Sequence, residues 1–327
     1  MSKLKVGVIG CGHLGKFHTK MHTMLPDISE LIGVYDLNPE QSQKVSGEFN
    51  CKQFHSIEDL LSMVDAVIIA SATQSHYEVA KQCLNANKSI FIEKPITATV
   101  PQAEEIVTLA EEKGLIIQVG HIERYNPAFF QIEDMNVDPM FIEAHRLASF
   151  NPRGSDVSVV HDLMIHDIDL ILSLISADVV QVDAAGVAAL TDTPDIANVR
   201  IKFANGAVAN LTASRISIKK MRKFRIFQKE MYISLDLDKG AADIFSLADE
   251  SDTTAEGMAI ANIESKGKKI MYVKNEEGQI NALLEENRDF VNSVLNGSPV
   301  KVTGKDGLRA LVTAEMVISE IDKQIKT

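Results

Sequence analysis

The chain has 327 residues, enough for two domains of ordinary size, and at 45% hydrophobic and 24% charged it has the composition of a soluble globular protein rather than a disordered one. Its 33 basic and 45 acidic residues give a formal net charge of −12, which argues against a nucleic-acid or anionic-membrane surface and for a small-molecule partner. Three widely spaced cysteines, Cys11, Cys51 and Cys83, show no metal-ligand pattern and fit a reducing cytoplasm, and nothing approaches the ~18 apolar residues of a membrane span.

Lys5 to Ile9 is a β-branched run, followed at once by Gly10-Cys11-Gly12-His13-Leu14-Gly15 and then by Leu14, Phe17, Met21 and Leu25 at helical spacing. The order strand, glycine turn, helix gives G-x-G-x-x-G a mechanism. Gly10 allows the tight turn, Gly12 lets a pyrophosphate approach the main chain, Gly15 lets helix and strand pack closely, and the helix N-terminus faces the phosphates. Glycines break this apolar run, so it is not read as a signal peptide. A second strand, Glu30 to Tyr35, ends in Asp36, 21 residues after Gly15, where a carboxylate can hold both ribose hydroxyls of an adenosine. No arginine adjoins Asp36 and its charge would repel a 2′-phosphate, so NAD is expected in preference to NADP. His18 and His22 are one turn apart, but with no third ligand in view they are read as packing or solvated side chains, and no metal is expected.

The alternation continues with a strand at 65–70, a helix at 75–86 opened by a Ser75/Glu78 capping box, a strand at 89–92, a helix at 100–113 and a strand at 115–119. Strands separated by helices predict an α/β domain, a doubly wound parallel Rossmann sheet. Ligands of such a sheet sit beyond the strands' carboxyl ends, here Ser71 to His76 and Glu93-Lys94-Pro95. Pro95 biases Lys94 toward an extended backbone at that rim, although for an isolated Glu-Lys-Pro a solvated lysine is the better reading. After Gly120 the alternation stops. The segment of His121, Arg124, Tyr125, Asn126 and Pro127 is expected to cross between a domain of residues 1–121 and one of residues 122–327, lining a cleft or bracing the linker.

His161 to Ser176 reads as one helix of about four turns, apolar on most sides. Asp162, His166, Asp169 and Ser173 fall in a single sector about 60° wide, with Asp167 and His161 as exceptions to the apolar remainder. A buried Asp and His one turn apart are costly unless paired or serving a ligand. Alone, Asp-x-x-x-His is better explained as a structural pair.

Strand-like segments follow without intervening helices, at 179–187, 197–203, 207–216, 224–227 and 231–237, which predicts an α+β domain with a largely antiparallel open sheet. One face is expected to cover the helix of Asp162 and His166, leaving the other free to meet a second subunit. Arg215, Lys219, Lys220, Arg222, Lys223 and Arg225 form a basic cluster, read mainly as a solvated edge that discourages strand pairing, with a sugar-nucleotide diphosphate as the alternative partner. Asp249 to Gly257 reads as a loop, and amphipathic helices around 280–295 and 304–325 are expected to pack back on the first domain.

Together GCGHLG, Asp36, Ala72-Thr73 with His76, Glu93-Lys94-Pro95 and Asp162-x-x-x-His166 resemble the Gfo/Idh/MocA family of nicotinamide-dependent oxidoreductases, along nearly the whole chain. The resemblance implies that Gly10, Gly12, His13, Leu14, Gly15, Asp36, Ala72, Thr73, His76, Glu93 and Lys94 bind NAD, and that Lys94, Asp162 and His166 meet around the substrate carbon. It also implies a homodimer or homotetramer. Gly120–Phe129 (GHIERYNPAF) and Asn151–Ile171 (NPRGSDVSVVHDLMIHDIDLI) resemble a subgroup acting on nucleotide sugars, UDP-N-acetylglucosamine 3-dehydrogenases, which adds Arg124, Tyr125 and Arg153 to the substrate-binding set.

The reaction so implied moves a hydride between a ring CH–OH of a sugar or nucleotide sugar and nicotinamide. In the oxidative direction His166 takes the hydroxyl proton, Asp162 orients and charge-stabilises that imidazole, and Lys94 donates a hydrogen bond to the same oxygen. Either Lys94 or His166 is the principal base. Within the stripe, Asp169 and Ser173 are left to structural hydrogen bonds. Two alternatives share the fold: a non-catalytic NAD-binding regulator, against which the joint presence of Lys94, Asp162 and His166 argues, and an NAD-dependent glycosidase, which would release sugar without net NADH.

Overall fold

The computed structural model describes residues 3–151, 157–275 and 280–325. Arg153, of the expected substrate-binding set, lies outside the described residues. The chain divides into two compact units, one of residues up to Ile122 together with Asn281–Val312, the other of Glu123–Ile280 together with Thr313 onward.

The first unit contains β1 (Leu4–Ile9), α1 (His13–Thr23), β2 (Ser29–Tyr35), α2 (Pro39–Phe49), β3 (Lys52–Gln53), α3 (Ile57–Leu61), β4 (Ala66–Ile69), α4 (Thr73–Asn85), β5 (Ser89–Glu93), α5 (Val100–Lys113) and β6 (Ile117–Gly120). Its strands lie in the order β3-β2-β1-β4-β5-β6 and every pair is parallel. The order reverses between β1 and β4, so their carboxyl ends flank the switch point where an open sheet of this kind binds ligands. β4 and β5 are buried at every residue, which is why AVII and SIFIE run without polar alternation. Val6, Val8, Val34, Ile68 and Phe91 form a core with Phe290 and Val291 from much later in the chain.

Two local expectations give way. α4 begins at Thr73, with Ala72 as an N-cap lacking any side-chain acceptor, and Ser75 Oγ does not cap: it meets Ser71 Oγ at 2.7 Å and donates to Ala72 O at 2.8 Å. The helix starts earlier than the capping box suggested because Thr73 and Gln74 already continue it. In α1, Leu14 and Phe17 are 41% and 40% exposed, whereas His18, Thr19 and His22 are almost wholly buried. The inward face of this helix is largely polar, although Met21 and, just past the helix, Leu25 are buried as expected.

The second unit holds α6 (Pro127–Phe130), β7 (Phe141–Leu147), a π-helical turn at Val160–Met164, and α7 (Ile165–Leu174). Then follow β8 (Val179–Val187), β9 (Ile196–Phe203), β10 (Val208–Ser214), β11 (Met221–Gln228), β12 (Met231–Asp236), β13 (Ala241–Asp249), β14 (Met258–Ile263) and β15 (Lys268–Asn275). Two more helices, α8 (Ala282–Asn296) and α9 (Gly304–Ile325), complete the chain; α8 and the start of α9 belong to the first unit and the rest of α9 to the second. The nine strands pair in the order β14-β15-β13-β12-β11-β7-β10-β9-β8, antiparallel except for β7 with β10. β7 alternates strictly, with Ile142, Ala144 and Arg146 buried and Phe141, Glu143, His145 and Leu147 half-exposed.

β11 is an interior strand, between β12 and β7, so its basic residues do not guard an edge. They face carboxylates instead: Arg222 meets Glu123 at 3.3 Å, Lys223 meets Asp236 at 2.9 Å and Arg225 meets Glu143 at 2.7 Å. Arg215 is buried, paired with Asp195 at 2.8 Å and donating to Val157 O at 2.6 Å.

The predicted four-turn helix is a π turn followed by an α-helix, and it ends at Leu174, with Ile175 extended. Its acids are anchored. Asp167 receives Arg146 Nε at 3.0 Å and Nη2 at 2.7 Å, and Arg146 Nη1 also reaches Glu123 at 2.7 Å. Asp169 receives Arg124 Nε at 2.7 Å and Nη2 at 3.0 Å. One guanidinium serves two carboxylates: burial raises Asp167 beyond what Arg146 returns, whereas burial of Glu123 is outweighed by Arg146 and Arg222, which hold it below the ordinary range. Replacing Arg146 with Met takes from Asp167 the guanidinium that pairs with it and leaves Glu123 the longer Arg222 contact at 3.3 Å, and is expected to cost about 3 kcal/mol or more. The share of Glu123 is complete above the ordinary carboxyl value of 4.5 and is lost as pH falls below it. Urea unfolding of the Arg146→Met variant should therefore show a deficit that is largest at neutral pH and narrows in acid; a deficit independent of pH would contradict this account.

Candidate active site

In the first unit the residues implied for NAD gather at the carboxyl ends of β1, β2, β4 and β5. Gly10 has φ of +93°, and a Cβ there would press to 2.4 Å on Ser71 N; a Cβ at Gly15 would come within 1.8 Å of Gly10 O. Side chains at these positions would drive β1, α1 and β4 apart. Gly12, the N-cap of α1, has no side-chain cap and faces open space, with nothing within 4 Å of its would-be Cβ. The N-terminal amides of α1 thus open on a cradle of the kind a pyrophosphate fills. His13 and Leu14 are exposed on the same turn, His13 edge-on to Phe17 at 4.9 Å.

Asp36 follows β2 and lies against the same turn. Its Oδ2 accepts from Cys11 N at 2.6 Å and its Oδ1 from Asn38 N at 2.8 Å, so the carboxylate is held by main chain and its remaining lone pairs can take ribose hydroxyls. Gln41 Nε2 donates to Cys11 O at 2.6 Å and steadies the same turn. Burial, and then the charge of Asp36, push the Cys11 thiol up to about 12, which leaves it a poor nucleophile. These residues fit a dinucleotide.

Ala72 is exposed and Thr73 half-exposed at the start of α4, a second helix N-terminus without a side-chain cap. His76 is 1% exposed and turns its ring to main chain, Nδ1 to Pro95 O at 3.0 Å and Nε2 to Ser71 O at 3.1 Å. It therefore braces the β4–α4 turn against the Lys94-Pro95 turn, and burial lowers its pKa despite those carbonyls. Lys94 is half-buried at the end of β5, and its N–H donates to Glu93 Oε2 at 3.2 Å. Gly120 makes room for that carboxylate, since a Cβ at 120 would sit 2.9 Å from Glu93 Oε2.

In the second unit Asp162 lies in the π turn and His166 one turn on, in the first turn of α7; both are half-buried. π turns inside helices are frequent at functional sites, and this one alters the phase between the two side chains that regular spacing had assumed. Arg124 and Tyr125, expected to bind substrate, are 8% and 2% exposed. Arg124 directs two donors at Asp169, and Ser173 Oγ donates to Leu170 O at 2.7 Å, so Asp169 and Ser173 make structural hydrogen bonds. Sequence reading gave Asp167 no partner, read His18 as a packing or solvated side chain and did not single out Asn287; all three are buried. The partners of His18 lie 75 and 269 residues away, so no local pattern marks it.

Among the described residues no group of three or more His, Cys, Asp or Glu side chains could hold a metal ion. No helix among them is long and apolar enough to cross a membrane.

Comparison with known proteins matches this architecture. Residues 4–121 fit the family described as "Oxidoreductase family, NAD-binding Rossmann fold", and residues 140–234 fit the "GFO/IDH/MocA C-terminal domain". The chain is 37% identical over 318 residues, 97% of each chain, to a UDP-N-acetylglucosamine 3-dehydrogenase of Acidithiobacillus ferrooxidans, and 26% identical over 94% of its length and 93% of the relative's to a myo-inositol 2-dehydrogenase of Thermotoga maritima. A solved structure of the Acidithiobacillus protein superposes with a TM-score of 0.89 at 35% identity, covering 99% of both chains. A protein of gentamicin A biosynthesis solved in complex with NAD shares the fold, with a TM-score of 0.79 at 20% identity over 98% and 95% of the two chains. With the glycine turn, Asp36, the parallel sheet and this likeness in agreement, the chain is an NAD-binding oxidoreductase of the Gfo/Idh/MocA family.

Proposed function

We propose that this protein is a nucleotide-sugar dehydrogenase that oxidises C3 of UDP-N-acetylglucosamine with NAD in preference to NADP. The observation that carries the reading is the 37% identity, over 97% of each chain, to a protein named for that activity. When bound, NAD supplies the hydride acceptor. The amides at Gly12 and the first turn of α1 hold its pyrophosphate, and Asp36 takes the ribose hydroxyls and repels a 2′-phosphate.

On the first unit, Lys94 donates a hydrogen bond to the substrate oxygen and stabilises its developing negative charge. On the second, His166 accepts the hydroxyl proton and Asp162 orients the imidazole. Arg124, bound to Asp169, supports α7 rather than contacting substrate through those two donors.

A homo-oligomer is part of the proposal. Phe141, Phe227, Tyr232, Phe245 and Tyr272 form a cross-strand aromatic row on the half-exposed face of the nine-stranded sheet, with ring centroids 4.7 to 5.6 Å apart. An aromatic strip of this kind, left partly open to water, favours burial against a second copy. The three free cysteines agree with the reducing cytoplasm as the working compartment.

Three outcomes are expected. Purified protein forms NADH with UDP-N-acetylglucosamine, more slowly with free sugars or inositols, and kcat falls at least about a hundredfold in Lys94→Ala and in His166→Ala; wild-type turnover in either variant removes that residue from the chemistry. Asp36→Ala weakens NAD at least about tenfold in a binding titration while sparing NADP, as loss of hydrogen bonds to a charged group requires; equal losses for both would refute the assigned preference. Phe227→Lys lowers the mass seen in sedimentation, and an unchanged mass would move the interface elsewhere.

A further inference from the structure

Glu93 is met from behind by two polar side chains from distant parts of the sequence. His18, on α1, and Asn287, on α8, have no exposed surface. His18 Nε2 lies 2.7 Å from Glu93 Oε1, and His18 Nδ1 lies 3.1 Å from Asn287 Oδ1. The amide of Asn287 is oriented by its own helix, since its Nδ2 donates to Leu283 O at 2.7 Å. Its Oδ1, which can only accept, is what faces the imidazole. Nδ1 of His18 must then carry a hydrogen.

The other ring nitrogen faces a carboxylate oxygen, again an acceptor, at a distance that requires a proton between them. Without that proton two lone pairs would oppose each other where water cannot intervene. The couple of His18 and Glu93 therefore holds the proton, whichever atom owns it, and carries no net charge, which is the form that burial tolerates. Burial by itself would raise the Glu93 carboxyl, but the His18 bond and charge, followed by Lys94, outweigh it and lower it. His22, beside His18, is pushed down to about 3 by burial and then by His18, so it stays neutral and adds no rival charge.

The chain Leu283 O, Asn287, His18, Glu93 ends on Lys94 N, which donates to Glu93 Oε2 at 3.2 Å. Phe91, whose ring lies 4.8 Å from that of His18, and Gly120, against which the carboxylate packs, close its remaining sides. From this geometry we infer that His18 and Asn287 are positioning residues: through a shared-proton bond to Glu93 they fix the main chain of Lys94 and so the place from which its ammonium works. The inference rests on the dehydrogenase reading for what Lys94 does, but not for where Lys94 is held.

The test separates the two. In ¹H–¹⁵N spectra of the full-length protein without substrate, His18 should give signals from both ring N–H groups, identified by their loss in His18→Gln. A single ring N–H beside an ionised Glu93 carboxylate, read from its ¹³C shift, would overturn the inference; a single ring N–H beside a protonated Glu93 is the same shared proton on its other owner. His18→Leu should shift the Lys94 backbone amide and lower kcat about tenfold to a hundredfold, the range a small misplacement of a reacting group produces, with KM for NAD little changed. His18→Gln, which keeps a donor toward Glu93, should recover part of both. Should His18→Leu fail to fold, Asn287→Leu reads the same amide and the same kcat. A Lys94 amide that stays in place in these variants, whatever their stability, refutes positioning. A wild type that reduces no NAD sinks the dehydrogenase reading, while the Lys94 amide still decides this one.

Discussion

Arg146, set between Asp167 and Glu123, is the interaction on which the second unit turns. Charges with almost no access to water persist only when paired: Arg146 pairs with both carboxylates and Arg222 adds a second cation at Glu123, and removing one partner of such a set leaves a buried charge uncompensated. β7 supplies Arg146, the 3₁₀ turn Ile122–Tyr125 supplies Glu123, and α7 supplies Asp167, so the network ties three segments. Arg124 and Asp169 repeat the device two residues along α7. His166 stands immediately before these two anchors. Ion pairs on neighbouring residues therefore help set the phase of its helix.

The first unit depends less on charge and more on closeness. Gly10 and Gly15 let β1, α1 and β4 approach to distances that a single methyl group would forbid, and the helix amides are thereby delivered to one small region beside Asp36. That carboxylate is already held by two main-chain N–H groups. A ligand arriving there meets donors and acceptors whose ordering is complete, so little conformational entropy stands against binding.

Much of this was legible in the residues. The glycine turn, the acid after the second strand and the regular alternation of periods point to the parallel sheet, and α5 and α9 have the limits their patterns suggest. What escaped was non-local. Arg124 was expected to bind substrate, and the two donors it gives Asp169, 45 residues on, were not foreseen. Asp167 looks like an exception on a greasy helix because its partner is on a strand. The basic run at β11 looks like an edge because nothing in its composition reveals neighbours on both sides. The histidines of α1 are the sharpest case: Leu14 and Phe17 suggested the inward face, and the polar residues took it because Glu93 and Asn287 were waiting there. Spacing also assumes 3.6 residues per turn, and the π turn at Asp162 does not obey it.

The contact between Gly120 and Glu93 has a bearing on how such a chain can change over time. A methyl group at 120 would sit 2.9 Å from Glu93 Oε2, so an alanine there makes the carboxylate shift, and that carboxylate is the one bound to His18 and to Lys94 N. A substitution history at this turn should therefore move in linked steps across three positions that are far apart in the sequence, and a designer altering one of them inherits the other two.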